Sequence, residues 1–157
     1  MKNVHQIDDL DKKLLTALLL DGNLSLTEMA KRYGVSGGTI HVRLAKLEQA
    51  GIIKNRSLEV DYTKLGYDIS AFIGIFLEKS SMYDEVSKSL KSIPEVVQLH
   101  YITGSYNMLV KLICKDMTHL KRVLHDKMQL IKGIERTETM ISLDETFKRP
   151  INLEIAE

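Results

Sequence analysis

The chain is poor in the residues that build staples, membrane spans and cofactor loops. It has one cysteine, Cys114, which excludes an intramolecular disulfide framework and any cysteine-cluster zinc site. Neither charge sign dominates. There are 22 Lys and Arg against 21 Asp and Glu, a net charge of +1 with histidine neutral, which excludes a uniformly basic nucleic-acid coat protein. Long apolar runs are missing: residues 71–77 fall far short of the ~20 that span a bilayer. The polar, acidic start lacks the basic-then-apolar order of a signal peptide, so a soluble cytoplasmic chain with no membrane contact is expected. No GxGxxG or P-loop sequence occurs. His119 and His125 do not share a helical face and no other His or Cys completes a ligand set, so no metal site is expected. The serines between positions 80 and 92 have no base paired to them by sequence. With no convergent acid, base and nucleophile, no catalytic residues and no enzymatic activity are expected.

What is present suits a globular chain. Hydrophobic residues make up 44% of the 157, enough for a core and too many for a disordered chain. That length allows one ordinary domain or two small ones. The first third reads as helices. Ile7, Leu10, Leu14 and Leu18 recur at helical spacing, with Asp8, Asp9 and Asp11 complementing the helix dipole at the start. Asp21-Gly22 is expected to stop this helix through a left-handed glycine. Ser25 and Glu28 form a capping box that opens a second helix, and Gly34 ends it. Ser36 is the expected N-cap of a third helix with the stripe Ile40, Leu44, Leu47, ended by Gly51. Two helices about a glycine corner make a helix-turn-helix. Residues 52–54 and 58–61 read as a two-stranded wing.

Composition changes after residues 61–68. Residues 69–77 read as a strand apolar on both faces. Met82, Val86, Leu90 and Ile93 mark a helix stopped by Pro94. Strands follow over 96–103 and 107–114, then a helix marked by Leu120, Leu124, Met128 and Ile131, then a strand over 134–143. The order β-α-β-β-α-β is the ferredoxin-like arrangement. The expected class is therefore α+β, with a winged helix-turn-helix over 1–61, a linker over 62–68 and a βαββαβ domain over 69–157. Helices cover one face of such a sheet. The other face, apolar on its first strand, needs a second cover, and a second copy of the chain is the economical one, so a homodimer is expected.

The charge becomes informative once it is segmented. Residues 25–57 hold Lys31, Arg32, Arg43, Lys46, Lys54 and Arg56 against Glu28 and Glu48, a surplus of four on the helix-turn-helix and wing. Such a surplus beside a helix N-terminus attracts phosphates. Ser36, Gly37, Gly38 and Thr39 are small enough to let the third helix approach double-stranded DNA closely. His41 and Val42 lie off the apolar stripe and can reach base edges. For His41 an incidental surface position stands equally open. Arg43, Lys46 and Arg56 are expected to hold phosphates.

Residues 35–53, VSGGTIHVRLAKLEQAGII, resemble the helix-turn-helix signature of the Lrp/AsnC family of transcription regulators. The opening Ile7-Asp8-Asp9-Leu10-Asp11 resembles that family's first helix. Leu65-Gly66-Tyr67-Asp68, Phe72-Ile73-Gly74-Ile75, Thr103-Gly104-Ser105-Tyr106-Asn107 and Thr137-Glu138-Thr139 look most like its asparagine-responsive branch. One departure is Gly37, where that branch commonly has Pro; glycine lacks the pre-set φ that favours helix initiation. The resemblance implies a regulator of amino-acid metabolism genes. It implies dimers that assemble into octamers, with an amino-acid effector bound between C-terminal domains.

An amino acid needs donors for its carboxylate and acceptors for its ammonium. The turn Gly104, Ser105, Tyr106, Asn107 offers backbone N–H groups, hydroxyls and an amide. Thr137 and Thr139 share one face of the last strand. From the residues alone, an ordinary hairpin turn and ordinary strand threonines remain open; the resemblance turns them toward an effector site. Asn107, where the family's turn often has an acid, points to a neutral, asparagine-like effector. The competing expectation is an amino-acid-binding oligomeric module without regulated DNA binding.

Overall fold

The computed structural model describes residues 6–55 and 58–154. They fall into two compact units. Described residues of 1–59 and of 147–157 form one, and 60–146 form the other. The expected boundary at 61 therefore lies at 59/60. Residues 62–68 belong to the second unit, where Thr63–Leu65 makes a 3-10 turn and the Asp68 N–H donates to the Lys115 carbonyl at 3.2 Å. The expected C-terminal domain ran to 157; its last segment instead joins the helical unit, where Leu153 packs against the core.

The first unit contains α1 (Asp9–Leu20), α2 (Leu26–Tyr33) and α3 (Gly37–Gln49). Local chemistry sets each start. Asp8 caps α1, and Asp8 and Asp11 satisfy each other's backbone N–H groups as a capping box built from two aspartates. Ser25 and Glu28 do the same for α2, and Ser36 Oγ accepts from the Thr39 N–H at 3.1 Å for α3. Gly34, at φ +65°, takes the left-handed corner between α2 and α3 that a side chain would disfavour. The stop of α1 differs from expectation. Asp21, in extended conformation, donates its N–H to the Ala17 carbonyl, and Gly22 is not among the positive-φ glycines. Leu14, Leu15, Met29, Ile40, Leu44 and Leu47 form the core.

The expected wing strands do not form: among the described residues, 52–54 and 58–61 carry no ladder. Each offers few side chains to a core. Ile53 packs against it, but Leu58 is 88% exposed. A two-stranded hairpin without a face to bury is marginal.

The second unit contains β1 (Ile69–Leu77), α4 (Tyr83–Lys91), β2 (Val96–Tyr101), β3 (Met108–Cys114), α5 (Met117–Arg122) and β4 (Ile134–Ile141). The antiparallel sheet has the order β2-β3-β1-β4, which is the expected βαββαβ topology. Strands β2 and β4 stop short of the expected 103 and 143. Helix α5 runs into a π turn over Val123–Met128, which buries Val123 where strict four-residue spacing pointed to Leu124. Ala71, Ile73, Ile75 and Leu77 of β1 and Met108, Val110, Leu112 and Cys114 of β3 meet Val86, Leu90, Leu120, Val123 and Met128 on the helix side. The opposite, open face carries Phe72, Gly74 and Phe76, flanked by Lys111 and Leu109 of β3 and Arg136, Glu138 and Met140 of β4. Among the described residues no helix is long and apolar enough to cross a membrane.

Candidate functional site

At 100° per residue, the buried stripe of α3 leaves Gly38, Thr39, Val42 and Lys46 on the outward side, with His41 and Arg43 on opposite flanks. Gly38, Thr39, Val42, Arg43 and Lys46 line one open cleft of about 510 Å³ together with Gln6, Asp8 and Asp11. Val42 is 52% exposed, unusual for a valine that serves only packing. His41 lines a different cleft, of about 440 Å³, against Asn23, Ser25, Met29 and Glu48. Ser36 and Gly37 shape the helix start: Ser36 Oγ lies 2.9 Å from Thr39 Oγ1, so both hydroxyls are engaged at the cap. Arg56 lies outside the described residues.

Arg43 is placed differently from a phosphate-holding residue. Its Nη1 donates to Asp8 Oδ2 at 2.7 Å and to Asp11 Oδ1 at 2.8 Å. The Asp11 hydrogen bond, then that of Asp8, holds the guanidinium pKa above its ordinary value. The Asp8 carboxyl is lowered by the Asp11 backbone N–H and by Arg43. Nothing in sequence spacing signalled this, because the partners are 35 and 32 residues away.

In the second unit the turn after β2 is tied to β1. Gly104, at φ +118°, makes the turn in a conformation that side chains rarely adopt, and Ser105 is exposed beside it. Asn107 extends the β1–β3 pairing: its N–H donates to the Ile75 carbonyl at 2.9 Å, and its Oδ1 accepts from the Leu77 N–H at 2.9 Å. Its side-chain oxygen thus clamps the end of β1. Tyr106 lies across Gly74, where a Cβ would stand 2.6 Å from the ring. This explains a glycine inside an otherwise apolar strand, a signal of close approach legible in sequence. The Tyr106 hydroxyl donates to Glu138 Oε2 at 2.7 Å, its ring meets Phe76 edge-on at 5.2 Å, and Arg136 lies 3.4 Å over the Phe76 ring while donating to Glu138 at 2.8 Å. The Glu138 carboxyl is lowered by the Tyr106 hydroxyl and then by Arg136; the same Glu138 bond raises the Tyr106 hydroxyl. Sequence reasoning missed Gly74, Arg136 and Glu138 as one cluster.

Thr137 and Thr139 do not join it. They pair with Ile75 and Ile73, which puts them on the helix side, whereas Glu138 pairs with Gly74 on the open side. Within one chain Tyr106 and the two threonines therefore lie on opposite faces of the sheet.

The remaining candidates are structural. Cys114 is fully buried, and burial pushes its thiol up, away from a nucleophile's range. Among the described residues no His, Cys, Asp and Glu group could hold a metal ion.

Comparison with known proteins finds two family matches. The winged helix-turn-helix DNA-binding family matches residues 7–54, and the Lrp/AsnC ligand binding domain matches residues 70–151. The chain is 45% identical to the regulatory protein AsnC of Haemophilus influenzae over 148 residues, covering 94% of this chain and 99% of that one. It is 41% identical to the regulatory protein AsnC of Escherichia coli K12 over 145 residues, covering 92% and 95%. The solved structure of E. coli AsnC superposes with a TM-score of 0.88 at 40% identity, covering 93% of this chain and 98% of that one. A Neisseria meningitidis transcriptional regulator solved as an L-Met complex shares the fold at a TM-score of 0.87 and 23% identity, covering 91% and 94%.

Proposed function

This chain belongs to the Lrp/AsnC family of transcription regulators, and from that membership we propose how its two units divide the work. It is a DNA-binding regulator with an effector-binding domain, and not an enzyme. The helical unit reads double-stranded DNA through Gly38, Thr39, Val42 and Lys46. The outward cleft of α3 carries this reading, because it puts an exposed valine between two polar side chains, Thr39 in the first turn and Lys46 in the last, along a capped helix. Val42 suits a thymine methyl, Thr39 a base edge, and Lys46 a phosphate. Ser36 and Gly37 fix the helix start. His41 serves the flank of the helix.

The open sheet face is the dimer surface. Phe72 and Phe76 are only half-covered in the single chain and Met140 is 40% exposed, so a second copy would bury them. Dimers assemble further, into octamers, through the same unit. The effector is a small amino acid held between copies. Gly104 and Ser105 offer backbone N–H groups to its carboxylate, and Thr137 and Thr139 of another copy offer hydroxyls. Tyr106, next to Ser105, lies on the open side and the threonines on the helix side, which supports a composite pocket over one within a single chain. Asn107 brings no charge to the turn, and a neutral side chain such as that of asparagine fits it. The compartment is the cytoplasm, where the DNA is.

The test is fluorescence anisotropy of the full chain on its own upstream duplex and on a scrambled one, across salt and a panel of amino acids. Preference for the upstream duplex, weakening steeply with salt and shifted by one amino acid, is expected. Equal binding to both duplexes would overturn the DNA-reading assignment. It would favour the amino-acid-binding module instead.

A further inference from the structure

We propose that Arg43 is a positioning residue: held by Asp8 and Asp11, it locks the rotation of α3 and thereby decides which side chains meet the bases. This rests on the DNA-reading assignment above.

Helix α3 packs through Ile40, Leu44 and Leu47, all at or below 4% exposure. Apolar contacts of this kind are strong but non-directional. They forbid a large rotation, which would expose the stripe, but tolerate a small turn about the axis that exchanges one set of carbon contacts for another. A turn of roughly 20°, which leaves the stripe covered, already carries the tip of Val42 sideways by about 2 Å at a helix radius of ~5 Å. Sequence-specific reading therefore needs a directional restraint on the flank. Arg43 supplies it. Its Nη1 meets two carboxylate oxygens, at 2.7 and 2.8 Å, one from the N-cap of α1 and one from its first turn. That turn is itself fixed, because Asp8 and Asp11 close a reciprocal capping box. The Asp11 side chain is only 4% exposed, so this anchor is rigid and poorly screened.

The charges agree. A guanidinium already engaged by two carboxylates is a poor hold for a DNA phosphate. Lys46, less than one turn further along on the outward cleft, has no ion pair among the described residues and is exposed. Phosphate attraction belongs to Lys46, and geometry belongs to Arg43.

The two roles give opposite signs. If Arg43 held a phosphate, Asp11→Asn would remove a repelling charge and release the arginine, so binding to any duplex would tighten. As a positioning device, Asp11→Asn should lower the preference for the upstream over the scrambled duplex by about tenfold. Scrambled binding and the slope of log affinity against log salt should stay unchanged. Arg43→Lys should behave the same way, since a lysine keeps the charge but loses the fork. Lys46→Gln is the contrast: affinity for both duplexes falls, and the salt slope drops by about 0.9 per head. Asp8→Asn keeps the N-cap, because Asn caps as well as Asp. It provides a variant that folds should Asp11→Asn unfold the head.

A wild-type chain that does not distinguish the duplexes would overturn the DNA-reading assignment and this proposal together. A wild-type preference kept intact in Asp8→Asn and Arg43→Lys would overturn this proposal alone. So would a salt slope that falls in Arg43→Gln as it does in Lys46→Gln.

Discussion

Glu95 should carry a measurable share of the sheet unit's stability, and that share should vanish in acid. The residue stands just ahead of β2. Its carbonyl accepts from the Ile113 N–H at 3.0 Å. Its carboxylate takes Lys127 Nζ at 2.7 and 2.8 Å and faces His119 Nε2 at 3.0 Å. His119 Nδ1 accepts from the Lys115 N–H, so Nε2 carries the hydrogen donated to Glu95. Burial alone would push the carboxyl up, but Lys127, the backbone N–H of Glu95 and His119 outweigh it and hold it at about 2, against an ordinary 4.5. A depressed carboxyl stabilises the fold above its unfolded pKa, and the contribution is lost as pH falls through the folded value. From 4.5 to about 2, linkage gives about 3 kcal/mol at neutral pH. Lys127 is 41% exposed, and screening brings this nearer to about 2 kcal/mol. Urea unfolding of the wild type and Glu95→Gln, at one protomer concentration, measures the gap directly. It should be flat from pH 7 to about 5, roughly halved by pH 3 and nearly closed at about 2. A gap independent of pH would refute the ionic account.

Gly74→Ala should disturb the open face selectively: its Cβ would lie 2.6 Å from a Tyr106 ring held at its hydroxyl by Glu138, and overpacking of this kind costs ~1–3 kcal/mol. Thermal unfolding and the monomer–dimer balance by analytical ultracentrifugation should both shift; an unchanged pair would show that the ring moves freely. Leu153→Ala should destabilise the helical unit by roughly 1 kcal/mol, as a partly buried leucine loses its contact with the core. Native-state hydrogen exchange should show faster exchange in α1–α3 and none in the sheet; uniform protection across both units would refute the packing.

Much of the fold was legible because it is written in short windows. The reciprocal pair Ser25–Glu28, the corner Gly34 and the cap Ser36 all act within three or four residues, where side chain and backbone are bound to meet. The alternation of β3, buried at Met108, Val110, Leu112 and Cys114, is equally local. Residues 52–54 and 58–61 have strand-like composition but carry no ladder among the described residues, because whether a hairpin forms depends on a face to bury, which no window contains. Pairing register was the harder matter. Thr137, Thr139 and Tyr106 looked like one site in the sequence, but the β1–β4 register sends the threonines to one side and Glu138, with Tyr106 on it, to the other. A slip of one residue would have reversed this, and nothing in the strand's own composition chooses.

By itself, then, the sequence determined the two kinds of unit, the order of the elements, the capped reading helix and the concentration of positive charge upon it. These follow from propensity, periodicity and composition, which are properties of neighbours along the chain. Tertiary structure alone decided that Arg43 faces two carboxylates rather than solvent, that Asn107 clamps the end of β1, and that Leu153 returns to the helical core. Each is a choice among partners of suitable chemistry many residues apart. That choice is made by which surfaces the packed elements bring within reach, because a charge or an amide takes the nearest well-aligned partner that burial leaves it.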